Sequence, residues 1–319
     1  MKDQFHRNID YLRISVTEQC NLRCRYCRPE PVDAADLDCL TCDEMLKLCR
    51  IFLQLGIRKF KITGGEPLIR RGIMDFLKEL KALPETGQVT VTTNGVLLES
   101  FAAQMAQTGI DGINVSVDSL DQKKYEQITG KDCLFDVLQG ICAAEDAGIP
   151  IKINKVILPE DTMEDLLPFF QIMKERRIPV RLIEQMPLGS CRYTEPKLTG
   201  EKILKEIRDK GWSVKKVDAQ IGNGPAVYYQ MEGYQGYLGL IEALHHNFCG
   251  ECNRIRLLSD GSLKSCLYYP PVLSLKDLIR TGAADTEIAQ KIREAVFCKP
   301  RSHHFLEKPS DEKMYRIGG

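Results

Sequence analysis

The sequence predicts an α/β fold: a partial, laterally open (βα)6 TIM-like barrel over residues 1–212, then a smaller C-terminal α+β domain over residues 213–319. Three observations carry this. Short β-branched or apolar runs recur at 12–16, 60–63, 89–93, 113–117, 151–157 and 180–183. Stretches with helical spacing lie between them, and this βα alternation argues a parallel sheet with helices on its outer face. Eight units would close a barrel, whereas six leave it open. After Trp212 the alternation gives way to short strand-like pieces rich in turn residues.

In chain order, the first strand runs straight into a cysteine-rich loop. The first helical stretch, 43–55, opens on a capping box formed by Thr41 with Glu44. Helical stretches at 73–83, 97–108, 135–147 and 163–176 follow. Gly56, Gly109 and Gly148 are the expected helix stops. The second domain contains the turn Gly222-Asn223-Gly224-Pro225, an aromatic run through Tyr237 and a strand at 254–258 closed by the hairpin signal Ser259-Asp260-Gly261. Helices around Leu275 and Ile292 lead to a polar tail, Tyr315-Arg316-Ile317-Gly318-Gly319.

The chain has 319 residues, zero formal net charge and 13 cysteines. An odd cysteine count with no N-terminal apolar leader argues against a disulfide framework and for reduced thiols in a cytoplasmic setting. No apolar run reaches the roughly 18 to 20 residues of a membrane span. Neutral charge gives no reason to expect nucleic acid or membrane as partner, so a small-molecule substrate is expected.

Six cysteines fall into two triplets. Cys20, Cys24 and Cys27 make C-x3-C-x2-C after the first strand; Cys249, Cys252 and Cys266 make C-x2-C-x13-C. A four-iron cluster usually takes four protein ligands, so three leave one iron open to a small molecule. A structural zinc site is the alternative for the first triplet. It needs a fourth ligand, and the nearby His6 precedes the strand. Gly64-Gly65 at the end of the second strand reads either as a place where backbone approaches a ligand or as a tight turn. Cys39 and Cys42, with Cys49, read as incidental thiols or as a further metal or redox pair. His245 and His246 are alternative fourth ligands for the second triplet, but would fill its open position.

Cations inside apolar strands are costly unless paired, and Arg13, Lys59, Lys61, Lys152 and Arg181 sit in or beside such strands. On the alternating strand Arg254-Ile255-Arg256 both guanidiniums point to one face. A triphosphate, with about four negative charges, calls for convergent cations of this kind; the alternative for the arginine pair is a solvated hairpin surface.

The first triplet, with Tyr26 between its last two cysteines, and Ile62-Thr63-Gly64-Gly65-Glu66-Pro67 resemble the radical S-adenosylmethionine superfamily across the six-unit region. The resemblance implies a [4Fe-4S] cluster whose open iron chelates S-adenosylmethionine, and a 5′-deoxyadenosyl radical that abstracts hydrogen. The run from Cys249 to Arg256, the later Cys266 and the terminal Gly318-Gly319 resemble the GTP 3′,8-cyclase family of molybdenum cofactor biosynthesis. That resemblance implies a second [4Fe-4S] cluster on Cys249, Cys252 and Cys266, with its open iron on the guanine of GTP. It also implies cyclisation of GTP to (8S)-3′,8-cyclo-7,8-dihydroguanosine 5′-triphosphate.

By the same resemblance Arg13, Lys61, Thr92, Lys152, Arg254, Ile255 and Arg256 match positions that bind GTP, while Tyr26, Gly65, Ser116 and Met186 match positions around S-adenosylmethionine. Core packing is the alternative for Tyr26 and Met186. Arg256 is the expected catalytic residue, delivering the final proton or stabilising charge as the base radical is reduced. The implied partners are an external electron donor of the flavodoxin or ferredoxin type and, downstream, cyclic pyranopterin monophosphate synthase. A monomer or homodimer is expected. Two departures stand out: Lys61 where the family more often has arginine, and Arg28 where methionine is commoner. The rival readings are a radical enzyme modifying a peptide with the help of an auxiliary cluster, and a two-cluster electron carrier.

Overall fold

The computed structural model describes residues 1–28, 38–189, 191, 194–218 and 221–318, so Gly319 of the expected tail lies outside the described residues. The first part alternates as the sequence predicts: β1 (Tyr11–Ser15), α1 (Cys42–Gln54), β2 (Lys59–Thr63), α2 (Ile73–Ala82), β3 (Gln88–Thr93), α3 (Leu98–Thr108) and β4 (Gly112–Ser116). It continues through α4 (Gln122–Thr129), α5 (Leu134–Asp146), β5 (Ile151–Ile157), α6 (Met163–Glu175), β6 (Val180–Glu184) and α7 (Gly200–Asp209). The capping box of α1 forms: Glu44 N donates to Thr41 Oγ1 at 3.1 Å, and Thr41 N to Glu44 Oε2 at 2.8 Å. Gly56, Gly109 and Gly148 all take positive φ.

The remaining elements are β7 (Val214–Val217), β8 (Val227–Met231), β9 (Leu238–Ile241), β10 (Arg254–Leu257), β11 (Ser262–Lys264), β12 (Leu273–Ser274), α8 (Leu275–Arg280), α9 (Asp285–Phe297) and α10 (Met314–Ile317). Their strands join the first sheet instead of forming another. One 12-stranded sheet runs β12-β11-β10-β1-β2-β3-β4-β5-β6-β9-β8-β7. From β10 to β9 every pairing is parallel, so the later segment adds a parallel strand beside β1 and another beside β6. Among the described residues the two ends of the sheet do not pair, which leaves the barrel laterally open.

Strand alternation divides the sheet into two chemically distinct faces. Leu12, Ile14, Ile62, Val89, Val91, Val115, Ile153, Val180 and Leu257 point outward and are buried beneath the helices. The inward positions carry a different set: Arg256, Arg13 and Lys61 are aligned neighbours across β10, β1 and β2, and Thr92, Asn114 and Lys152 across β3, β4 and β5. Asn154 and Arg181 continue the row into β6. A second small core of Leu188, Leu244, Leu258, Phe305 and Ile317 seats the C-terminal tail. Among the described residues no helix is long and apolar enough to cross a membrane.

Candidate active site

The first triplet lies on the loop leaving β1 at the C-terminal edge of the sheet. That loop is stitched to the end of β2 by main-chain bonds: Val16 N to Thr63 O (2.8 Å), Gly65 N to Thr17 O (2.7 Å) and Glu66 N to Gln19 O (2.8 Å). A Cβ on Gly65 would lie 2.2 Å from Gln19 O, so only glycine lets the two backbones cross there. Gly64-Gly65 therefore marks a crossing of two chain segments. Glu66 follows, fully buried, accepting from Leu68 N (2.9 Å), the Thr93 hydroxyl (2.8 Å) and Asn94 N (2.7 Å). Burial lifts its carboxyl to about 7 against these bonds.

Within the loop, Cys27 N and Arg28 N both donate to Cys24 O, folding the second and third cysteines into one turn. The Cys24 thiol is pushed well up, first by burial and then by Asp118 and the other two thiols; Cys27 is pushed up to about 12 by burial, Cys20 and Asp118. Cys20 is raised by burial and by Glu66, and its thiol in turn raises Cys24 and Cys27, so the three thiols share one nest. Among the described residues no three His, Cys, Asp or Glu side chains converge on one metal ion. A cubane spreads its thiolates over separate irons, whereas tetrahedral zinc gathers them at about 2.3 Å, so this donor set fits the cluster. Tyr26 is fixed by its hydroxyl donating to Asp118 Oδ2 at 2.6 Å. Arg28 now has a role: its Nη1 donates to Cys20 O at 3.1 Å while the guanidinium lies 5.7 Å from the Tyr315 ring centroid.

The second triplet sits at the opposite edge. Because β10 runs parallel to β1, Cys249 and Cys252 precede the strand at the end where β1 begins, and Cys266 returns to that edge after antiparallel β11. A five-residue strand, roughly 15 Å, separates the two levels. Cys249 is raised by burial and by Cys266 and Cys252, so these thiols also face one another. Cys252 is held at about 7: burial opposes its ionisation, but the charges of Lys299 and Arg254 outweigh that. His245 and His246 are turned to Glu184 and Glu242 and are held by those carboxylates.

Between the two edges lies the inward face. None of its described strand positions in the parallel run is Asp or Glu. Lys61 is driven well down by burial and then by Arg181, Arg13, Lys152 and Arg254; Lys152 falls to about 8 through burial and Arg181. Arg256 is lowered by burial, Arg13 and Arg254. Arg181 is oriented by neutral amides, its Nε donating to Asn154 Oδ1 at 2.8 Å and its Nη2 to Asn114 Oδ1. Asn114 Nδ2 in turn donates to Thr92 Oγ1 at 3.2 Å. Ile255 lies on the other face, in the apolar core, so its side chain points away from these cations. Ser116 ends β4 on the inward face, and Met186 packs against the tail core beyond β6.

The tail closes this space. Arg256 Nη1 donates to Ile317 O at 2.8 Å and Gly318 O at 2.6 Å. A Cβ on Gly318 would meet Thr63 Cγ2 at 2.4 Å and Ser15 Cβ at 3.5 Å, which places Gly318 over the ends of β1 and β2.

Sequence comparison decides among the readings. The chain is 36% identical over 326 residues to the GTP 3′,8-cyclase of Clostridium perfringens (strain 13 / Type A), covering all of both chains. It is 38% identical over 324 residues to that of Thermodesulfovibrio yellowstonii, again over both full lengths. This chain belongs to the GTP 3′,8-cyclase family. The Radical SAM superfamily model matches residues 14–173, and the Molybdenum Cofactor Synthesis C model matches residues 178–305. The superfamily works with a [4Fe-4S] cluster and S-adenosylmethionine.

Among solved structures, Streptococcus suis SuiB superposes with a TM-score of 0.65 at 14% identity, covering 96% of this chain and 76% of that one. Native anSMEcpe with bound AdoMet and Cp18Cys peptide gives 0.56 at 17%, covering 97% and 87%. At such identities these likenesses show the fold alone, and the peptide does not carry over to this cyclase-family chain. Sequence reasoning passed over Asn114 and Asn154. Their signal was available: asparagine is depleted in strands, and both occupy the same alternating positions as the lysines and arginines.

Proposed function

We propose that this chain cyclises GTP to (8S)-3′,8-cyclo-7,8-dihydroguanosine 5′-triphosphate, the first step of molybdenum cofactor biosynthesis. The observation that carries the reading is a face of buried and half-buried cations, with no Asp or Glu at its described strand positions, set between two thiol triplets. Taking such charges out of water costs several kcal/mol per ion unless an anion joins them, and a triphosphate supplies about four negative charges. Cys20, Cys24 and Cys27 hold one cluster, with Tyr26, Gly65, Ser116 and Met186 around S-adenosylmethionine; Cys249, Cys252 and Cys266 hold a second cluster beside the guanine. When bound, the cluster and S-adenosylmethionine would supply the radical chemistry that removes the ribose C3′ hydrogen; bonding of C3′ to guanine C8 would then be completed by one electron from the external donor and one proton, which Arg256 would deliver or whose charge it would stabilise. Arg13, Lys61, Thr92, Lys152, Arg254 and Arg256 orient the nucleotide, with Ile255 contributing through its main chain. Arg256 also pins the tail over the reacting atoms, which excludes water and stray hydrogen donors. A flavodoxin- or ferredoxin-type donor reduces the enzyme, and cyclic pyranopterin monophosphate synthase consumes the product.

Anaerobically reconstituted protein tests this directly. Deoxyadenosine should form when GTP is added without peptide, and Cys24→Ala should abolish it. Cys266→Ala should retain part of the cofactor cleavage while losing the cyclised nucleotide. Full cyclisation by Cys266→Ala, or GTP-independent turnover that needs a peptide, would overturn the reading.

A further inference from the structure

The main chain carrying the second triplet is held by two buried cations from opposite ends of the chain. Lys299, just past α9, is 2% exposed, and its Nζ donates to Arg254 O at 3.0 Å and to Ser265 O. Arg254 follows Cys252 by two residues, and Ser265 immediately precedes Cys266. A single ammonium therefore bridges the two segments whose spacing sets the distance between those cysteines. Arg7, anchored on Asp3 at 2.5 Å, holds the other side: its Nη1 donates to Cys249 O (2.7 Å) and Arg301 O (3.0 Å), and its Nη2 to Pro300 O (2.6 Å) and Lys299 O (3.4 Å). Arg7 has its carboxylate in Asp3. Among the described residues no carboxylate is paired with Lys299, although it is one of the largest fully buried side chains. A buried ammonium without a counter-ion is costly, and the negative groups at this place are the thiolates of the triplet.

We propose that Lys299 is a positioning residue for the second iron–sulfur centre, fixing the spacing of the Cys252 and Cys266 segments and supplying the positive charge that balances the cluster-bound thiolates. This rests on reading the second triplet as a cluster site. Net charge and nearby hydrogen bonds are the protein's levers on a cluster's reduction potential. A fixed positive charge stabilises the more negative, reduced state, so removing it lowers the potential. The backbone bonds to Arg254 and Ser265 act on retention, because they hold the ligands in place before and after iron enters.

The test uses the full-length chain with Cys20, Cys24 and Cys27 replaced by alanine, so that iron reports on the second triplet alone, at about four per chain. Lys299→Gln keeps donors but removes the charge; Lys299→Met removes both; Lys299→Arg keeps both. The readouts are iron retained after gel filtration and the midpoint potential from an EPR-monitored redox titration. The expected result is a lower potential in Lys299→Gln and Lys299→Met, additional iron loss in Lys299→Met, and restoration of both by Lys299→Arg. Equal potentials in all variants overturn the proposal whatever their iron content. Failure of both neutral variants to fold before iron is added also overturns it, since the role is then purely structural. If the Lys299-containing parent binds no iron, the cluster reading itself fails, and that result is distinct from the others.

Discussion

At the residue scale, Lys152 gives the pocket a measurable pH signature. Its ammonium is held down to about 8 by burial and by Arg181. Its folded value lies below the unfolded one of about 10.4, so the nucleotide-free protein loses stability to this charged group below about pH 8 and regains it as pH rises. An adjacent triphosphate reverses the shift. GTP binding near pH 8 should therefore take up protons, and affinity should fall as pH rises through that value. Calorimetry in buffers of different ionisation enthalpy measures the uptake. In Lys152→Met the uptake near pH 8 should diminish and affinity drop about ten-fold, or about 1.4 kcal/mol; undiminished uptake would assign the proton elsewhere, as to Lys61. Arg13, Lys61 and Lys152 were legible in the sequence because a cation in an apolar strand stands out against its neighbours. Lys299 and Arg7 were not, because in a loop each looks like an ordinary solvated charge until the fold buries it.

At the element scale, the loop from β1 owes its shape to glycine. Gly65→Ala should push Gln19 and Glu18 off the end of β2, since the added methyl would lie 2.2 Å from one carbonyl and 2.7 Å from the other. Overpacking of this kind costs about 1–3 kcal/mol. The expected outcome is a lower Tm together with loss of the first cluster's iron, while the second triplet keeps its share; wild-type iron content would refute the crossing as the loop's anchor. Elements with strong caps or β-branched runs were read within a residue or two: α1 from its capping box, β5 from its β-branched run. The βα reading does not contain α4 and α7. Only Tyr125, Ile128 and Thr129 of α4 are buried, too few for a periodic signal. The apolar stripe of α7, Ile203, Leu204 and Ile207, is visible, but the strand after it is antiparallel and breaks the alternation.

At the scale of the whole molecule, long-range pairing is what the sequence does not reveal. The hairpin at Asp260 is local and legible, whereas the placement of β10 beside β1 depends on register between segments some 240 residues apart. Residues 1–212 expressed alone should expose the edges of β1 and β6 and aggregate; a soluble, cooperatively melting fragment would contradict this. The pairing of β1 with β10 also carries a consequence for biogenesis. A chain emerging from the ribosome presents Tyr11–Ser15 some 240 residues before its edge partner and some 300 before the Tyr315–Gly318 plug. The loop of Cys20, Cys24 and Cys27 is therefore made well before the segments that come to cover it.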